Sequence, residues 1–84
     1  MKKCKILIVD DIPTNVTLIS TIIKKKLDAD SDTALSGEEA LKKIESVNPD
    51  IIILDLMMPG VDGWDVMRSV RSKHGKDEVA IIVT

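Results

Sequence analysis

Three short apolar runs, each followed at once by an oxygen-bearing side chain, constrain the fold of this chain more than any other feature. In chain order, the runs and the residues that end them are Ile6–Val9 with Asp10-Asp11, Ile51–Leu54 with Asp55, and Val79–Val83 with Thr84. Apolar runs of this length without polar alternation are typical of buried strands in a parallel sheet. Ligands bind at the carboxyl ends of such strands. The sequence therefore predicts three carboxylates and a hydroxyl along one rim of one sheet.

Helix signals occupy the segments between these runs. Pro13 suits the first turn of a helix, and apolar residues recur after it at spacings of three and four. These apolar positions are Ile12, Val16, Ile19, Ile23 and Leu27. Ser36 and Glu39 have the spacing of a capping box for a second helix. A turn at Pro59-Gly60 precedes a third helix capped by Asp62, with Trp64 near its start and partly exposed.

The order of these elements predicts the fold class. Ala29–Leu35 is interrupted by Asp30 and Asp32, as expected of an edge strand that charge protects from pairing. Lys73–Lys76 is the expected loop before the last strand. The order β-α-β-α-β-α-β implies right-handed crossovers and an α/β, doubly wound parallel sheet.

Composition excludes several classes of protein. A chain of 84 residues makes one small domain, and a net charge of −2 with a pI near 5.2 argues against direct nucleic-acid binding. A single cysteine, Cys4, fits a reducing compartment. The basic start Met1–Lys3 precedes an apolar stretch too short for a signal peptide, and no stretch has membrane-spanning length. We therefore expect a cytoplasmic protein with no membrane contact.

The residues at the predicted rim indicate metal-assisted phosphoryl chemistry. Clustered carboxylates repel one another unless a cation compensates their charge. Mg²⁺ prefers oxygen ligands, commonly one or two carboxylates with waters and phosphate oxygens. A carboxylate can also act as the nucleophile, forming an aspartyl phosphate while the metal neutralises the group being transferred.

These residues resemble the receiver domain of two-component response regulators. The resemblance rests on Asp10-Asp11 after the first strand, on the segment 55–63 that begins with Asp55, and on Thr84 after the fourth strand. It covers residues 1–84 and implies a flavodoxin-like sheet with strand order 2-1-3-4.

The resemblance also implies the role of each site residue. Asp55 would be the phosphoacceptor, Asp11 a direct Mg²⁺ ligand, Asp10 a ligand largely through water, and Met57 a ligand through its backbone carbonyl. Thr84 would bind a phosphoryl oxygen as the switch hydroxyl. The expected partner is a sensor histidine kinase or a phosphotransfer protein, and the chain itself is not expected to be an enzyme.

The same resemblance suggests that the chain is a partial receiver domain, shortened naturally or by design after the fourth strand. A receiver domain continues with a fifth strand, and the lysine at the end of that strand has no counterpart here. Val79–Val83 would then be an uncovered apolar edge, which favours pairing with another chain. We expect a homo-oligomer, most simply a dimer, formed through this strand.

Two other classes of protein remain as alternatives. Phosphatases and phosphotransferases of the haloacid-dehalogenase kind carry a second aspartate two residues after the nucleophile, but Met57 follows Asp55 and Ile12 follows Asp10 at that spacing. The second alternative is a non-signalling folding fragment or design module that keeps a receiver sequence. The expected lack of the lysine keeps this alternative open.

Overall fold

A computed structural model describes residues 4–27, 29–75 and 78–84, which form four strands and three helices. The strands are β1 (Cys4–Val9), β2 (Ala29–Ala34), β3 (Ile51–Leu54) and β4 (Ala80–Val83), and the helices are α1 (Pro13–Lys26), α2 (Gly37–Val47) and α3 (Gly63–Lys73). Strand and helix alternate along the chain as the sequence predicts.

The four strands form one parallel sheet in the order β2-β1-β3-β4. Ile6 of β1 lies beside Ile51 of β3, and Ile51 in turn lies beside Ala80 of β4. This arrangement confirms the predicted doubly wound α/β fold and its strand order 2-1-3-4. One boundary differs from the prediction, because Val79 precedes β4 as a buried residue and the strand begins at Ala80.

The core has two layers because side chains alternate between the two faces of each strand. On one face, α2 and α3 pack against the sheet, and the buried residues include Leu7, Val9, Ile52, Leu54, Val66 and Val70. On the other face, α1 is the helix that packs against the sheet within the described residues, and it buries Ile6 and Ile8 under Val16 and Ile23. A hydroxyl contact of 3.4 Å between Ser20 of α1 and Ser31 of β2 places this helix toward the β2 side of the sheet.

The predicted helix ends are confirmed with two differences. Ser36 accepts a hydrogen bond from the Glu39 N–H at 3.1 Å, but the Glu39 carboxylate accepts from the Leu35 N–H rather than from Ser36. The capping box therefore differs from the predicted one in that its second hydrogen bond comes from the residue before Ser36. The first and last apolar positions predicted for α1, Ile12 and Leu27, flank that helix and are half exposed, so its buried stripe is shorter than predicted.

Two predictions about the chain ends and loops fall outside the described residues. These predictions concern Met1–Lys3 and Lys76. The first residue assigned to the predicted loop, Lys73, is instead the last residue of α3. Among the described helices, none combines the length and apolar character needed to cross a membrane.

Asp32 on β2 makes the stability of the fold depend on pH. Burial acts to raise the pKa of this carboxyl, but hydrogen bonds from the Thr33 N–H at 2.8 Å and the Lys43 ammonium at 3.1 Å outweigh it and lower the pKa below 3.8. A lowered pKa stabilises the fold above the unfolded-state value of 3.8, and this contribution disappears as pH falls through the folded-state pKa.

Replacing Asp32 with asparagine is therefore expected to lower the free energy of unfolding at neutral pH by a few tenths of a kcal/mol, because the pair with Lys43 is partly solvated. The difference in the free energy of unfolding between this variant and the unmodified chain should be constant above about pH 5 and shrink below pH 4. Urea unfolding at a series of pH values from neutral to acidic measures this difference in the free energy of unfolding. Asp30→Asn, at an exposed position of the same strand, is the control. A difference that persists unchanged at pH 2 would contradict the assignment.

Candidate functional site

Asp10 is the buried carboxylate of the rim, with 6% of its surface exposed. It follows β1 directly, and its backbone N–H continues the sheet by donating to Ala34 O at 3.1 Å. One carboxylate oxygen accepts from the Ile12 N–H at 2.9 Å, and the other accepts from Asn15 Nδ2 at 3.2 Å. The orientation of Asp10 is thus held from both sides by residues at the start of α1.

Asp55 stands beside Asp10 because β3 is the neighbour of β1. Its backbone N–H donates to Val9 O at 3.0 Å, which aligns the ends of the two strands. Asp10, Asp11 and Asp55 each present one carboxylate oxygen within 4.8 Å of the others. The structure therefore brings together the three carboxylates that the sequence predicts at this edge.

Met57 and Thr84 lie next to the cluster in specific ways. The Met57 N–H donates to Asp55 Oδ1 at 3.0 Å, and Met57 as a whole is 83% exposed. Thr84 extends the pairing of β4 with β3 by donating its N–H to Leu54 O at 3.0 Å. Its hydroxyl lies 3.5 Å from the same carbonyl, at the strand end that carries Asp55.

Close backbone contacts hold the loop that carries Asp55. A Cβ added to Gly63 would lie 2.4 Å from Asp55 O, and one added to Gly37 would lie 2.0 Å from Val61 O. Only glycine allows α3 and α2 to begin this near the loop. Gly60 has a φ of 73°, the left-handed value that the predicted type II turn requires there. The conformation of the loop after Asp55 therefore depends on glycine at three positions, one within the loop and two at the helix starts that contact it.

The donor set of the cluster fits a hard divalent cation. All three side chains offer carboxylate oxygens, and Asp11 and Asp55 are only partly buried. Among the described residues, no lysine or arginine forms an ion pair with any of the three carboxylates.

Sequence reasoning missed three residues that shape the site, namely Asn15, Gly37 and Gly63. Asn15 could have been noticed as a polar residue in the first turn after Asp10, where a helix places it near the strand end. The two glycines each come directly after a predicted helix cap, but the need for glycine arises from a contact with a distant loop.

Comparison with known proteins identifies the family of the chain. The model of the response regulator receiver domain matches residues 6–84. The alkaline phosphatase synthesis transcriptional regulatory protein PhoP of Bacillus subtilis is 45% identical over 69 residues, which is 82% of this chain and 28% of that protein. Response regulator PleD of Caulobacter vibrioides is 38% identical over 79 residues, covering 94% of this chain and 17% of PleD. The chain thus spans a minor part of these relatives.

Solved structures show the same fold. The chemotaxis protein CheY4 of Vibrio cholerae superimposes with a TM-score of 0.88 at 28% identity, over 98% of this chain and 68% of that one. The N-terminal domain of a response regulator receiver protein from Methanoculleus marisnigri gives a TM-score of 0.85 at 30% identity, over 94% of this chain and 63% of that one. The acidic rim, the strand order and the match over residues 6–84 agree, and the chain belongs to the response regulator receiver domain family.

Proposed function

We propose that this chain is a phosphoacceptor module that takes a phosphoryl group on Asp55 with the help of Mg²⁺. The observation that carries the proposal is the convergence of Asp10, Asp11 and Asp55 within 4.8 Å at the carboxyl ends of β1 and β3. Asp10, Asp11 and Asp55 with the backbone carbonyl of Met57 are the proposed ligands of Mg²⁺. When bound, the cation supplies charge neutralisation for the transferred phosphoryl group.

The residues around Asp55 suit it to act as the nucleophile. Met57 N–H occupies Oδ1 of Asp55, so the other carboxylate oxygen is the one that attacks phosphorus. A P–O bond to Asp55 forms as the bond from phosphorus to its donor breaks, and the donor leaves with that electron pair. Asp10 is held by Ile12 and Asn15 and does not compete as the nucleophile.

Thr84 is the proposed contact for the transferred group. Its hydroxyl, now near Leu54 O at the long distance of 3.5 Å, would turn to donate to a phosphoryl oxygen on Asp55. A charge-assisted hydrogen bond of that kind is stronger than the present one. Phosphorylation would thus change the orientation of a residue at the end of β4.

The proposed phosphodonor is a sensor histidine kinase or a phosphotransfer protein in the cytoplasm. In this proposal the chain accepts a phosphoryl group and does not turn over a substrate. The relatives include a transcriptional regulatory protein and a protein-glutamate methylesterase/protein-glutamine glutaminase, and the chain matches 28% and 22% of their lengths. Their output activities are therefore not transferred to this chain.

Incubation with acetyl phosphate tests the proposal directly. Intact-mass spectrometry should show one added phosphoryl group in the presence of Mg²⁺ and none when EDTA replaces it. Hydroxylamine should remove the group, because an acyl phosphate is cleaved by this nucleophile. An unlabelled chain that remains folded would instead support a receiver fold retained without signalling chemistry.

Binding of Mg²⁺ in the absence of phosphodonor is expected to stabilise the fold. A ligand at ten times its Kd adds about 1.4 kcal/mol to the free energy of unfolding. The melting temperature should therefore rise when Mg²⁺ is added, and a change in the fluorescence of Trp64 at the start of α3 offers a second signal. Asp11→Asn should weaken both responses, whereas Asp30→Asn on the β2 edge should leave them intact. No response at tens of millimolar Mg²⁺ would show that the three carboxylates do not form a cation site.

A further inference from the structure

Asp10, in the acidic cluster of Asp10, Asp11 and Asp55, is hydrogen-bonded at both of its carboxylate oxygens. The Ile12 N–H donates to Oδ1 at 2.9 Å, and Asn15 Nδ2 donates to Oδ2 at 3.2 Å. The bond from Ile12 comes from the backbone and does not depend on the side chain at that position. Asn15 therefore supplies the contact with Asp10 that depends on the identity of a side chain.

Two hydrogen bonds restrict the Asp10 carboxylate more than one would. With the Ile12 bond alone, the carboxylate could pivot about Oδ1 and change the direction of Oδ2. Asn15 prevents this pivot because its amide holds Oδ2 from the first turn of α1. Asp10 is also 6% exposed, so the atoms packed around it limit its displacement. The direction of both Asp10 oxygens is thus fixed with respect to the rest of the acidic cluster.

The contact between Asn15 and Asp10 differs from ordinary helix capping. In a capping box, the side chain of the third helical residue accepts from the N–H of the cap residue. In α1 the cap residue is Ile12, and its N–H donates to Asp10 instead. Asn15, the third residue of this helix, donates to the same carboxylate. The Asn15 amide is therefore directed at the acidic cluster and not at the cap of its own helix.

The charge pattern of the helix starts also favours an amide at position 15. The first turns of α2 and α3 contain acidic residues, which the helix dipole stabilises, whereas the first turn of α1 contains none. An acidic side chain at position 15 would add a negative charge beside Asp10 and increase the repulsion within the cluster. Asparagine orients the Asp10 carboxylate by donating a hydrogen bond and adds no charge.

We propose that Asn15 is a positioning residue that makes the acidic cluster select Mg²⁺ over Ca²⁺, a role that rests on the proposed function, in which the cluster holds a cation. Mg²⁺ requires near-octahedral geometry and keeps several waters, whereas Ca²⁺ takes more ligands and accepts both oxygens of one carboxylate. Selectivity between the two ions therefore depends on the rigidity of the ligands. Because Asp10 is fixed at both oxygens, it cannot turn to suit the larger ion.

Loss of the Asn15 amide leaves Asp10 able to turn about its remaining bond to Ile12. A water molecule can donate to Oδ2 in place of the amide, but this water moves with the carboxylate and does not fix its direction. Ca²⁺ tolerates irregular geometry and gains from the added freedom of the ligand. Mg²⁺ loses part of the fixed geometry on which its binding depends. The affinities for the two ions therefore change in opposite directions relative to each other.

Isothermal titration calorimetry of the metal-free protein with Mg²⁺ and with Ca²⁺ measures this role in Asn15→Ala. The ratio of the Kd for Ca²⁺ to the Kd for Mg²⁺ should fall by about tenfold in the variant, as for other residues that orient metal ligands. Thr14→Ala, at the adjacent exposed position in the same turn of α1, should keep the ratio of the unmodified chain. A purely structural role of Asn15 would weaken the binding of both cations together and leave the ratio unchanged.

Asn15→His tests whether the donated hydrogen bond is the cause. The Nδ1 atom of histidine is as many bonds from Cα as Asn15 Nδ2, so at about pH 8 a neutral imidazole can donate to Asp10 from a similar position. This variant should recover the Kd ratio of the unmodified chain. An unchanged ratio in Asn15→Ala, or equal changes in the alanine and histidine variants, would overturn the role of Asn15 and leave the cation site in place. Failure of the unmodified chain to bind either cation would instead overturn the proposed function, and the role of Asn15 with it.

Discussion

Replacing Asp55 with asparagine is expected to abolish phosphoryl labelling of the chain. The amide lacks the anionic oxygen that attacks phosphorus, so no acyl phosphate forms at this position. Asparagine keeps the size of aspartate and an oxygen that accepts from the Met57 N–H, so the loop after β3 should retain its conformation. The loss of label is therefore attributable to the nucleophile and not to unfolding.

The stability of this variant provides a separate check. Without Mg²⁺, Asp55→Asn removes one of three carboxylates that approach within 4.8 Å, which relieves repulsion among them. Its melting temperature should be equal to or higher than that of the unmodified chain, and its stabilisation by Mg²⁺ should be smaller. Asp30→Asn, outside the site, should label normally. Undiminished label on the Asp55→Asn chain would place the phosphoacceptor elsewhere.

Substitution of alanine for Gly63 is expected to destabilise the fold and to impair the site together. The added Cβ would lie 2.4 Å from Asp55 O and 2.5 Å from Leu56 Cα, and backbone atoms cannot move aside as a flexible side chain can. Overpacking of this kind costs about 1–3 kcal/mol. For a chain of this size, each kcal/mol corresponds to a melting temperature lower by about 4–8 °C.

The effect on Asp55 follows from the same contact. Relief of the clash requires that α3 or the start of the loop shift, and the loop start is the backbone of Asp55. Both Mg²⁺ stabilisation and labelling should fall in Gly63→Ala at temperatures where the variant is folded.

Gly75→Ala is the matched control, because its nearest contact is Glu78 Oε1 at 3.9 Å and its φ is not in the left-handed region. It should be neutral or slightly stabilising. If Gly63→Ala matched this control in melting temperature and labelling, the close approach of α3 would not be what positions Asp55.

Local patterns in the sequence determined the secondary structure and the composition of the rim. The apolar runs around Leu7 and Ile52 predict buried strands because few other structures hide such runs, whereas the run around Ile81 forms the predicted strand with most of its residues exposed. The residue that ends each run then belongs to the carboxyl edge of a parallel sheet. Helix caps at Ser36 and Asp62 are equally local, since each side chain bonds an N–H three residues ahead.

The tertiary structure alone decided how the site is held. Asn15 bonds Asp10, and Gly63 contacts the Asp55 backbone, because α1 and α3 approach the strand ends at particular distances. Likewise, Arg71 reaches the Val79 carbonyl only because α3 ends beside β4. Periodicity reports which face of an element is buried, but the distance between elements depends on how all side chains pack together. For this reason the sequence predicted the acidic cluster, whereas its supporting contacts required the packed fold.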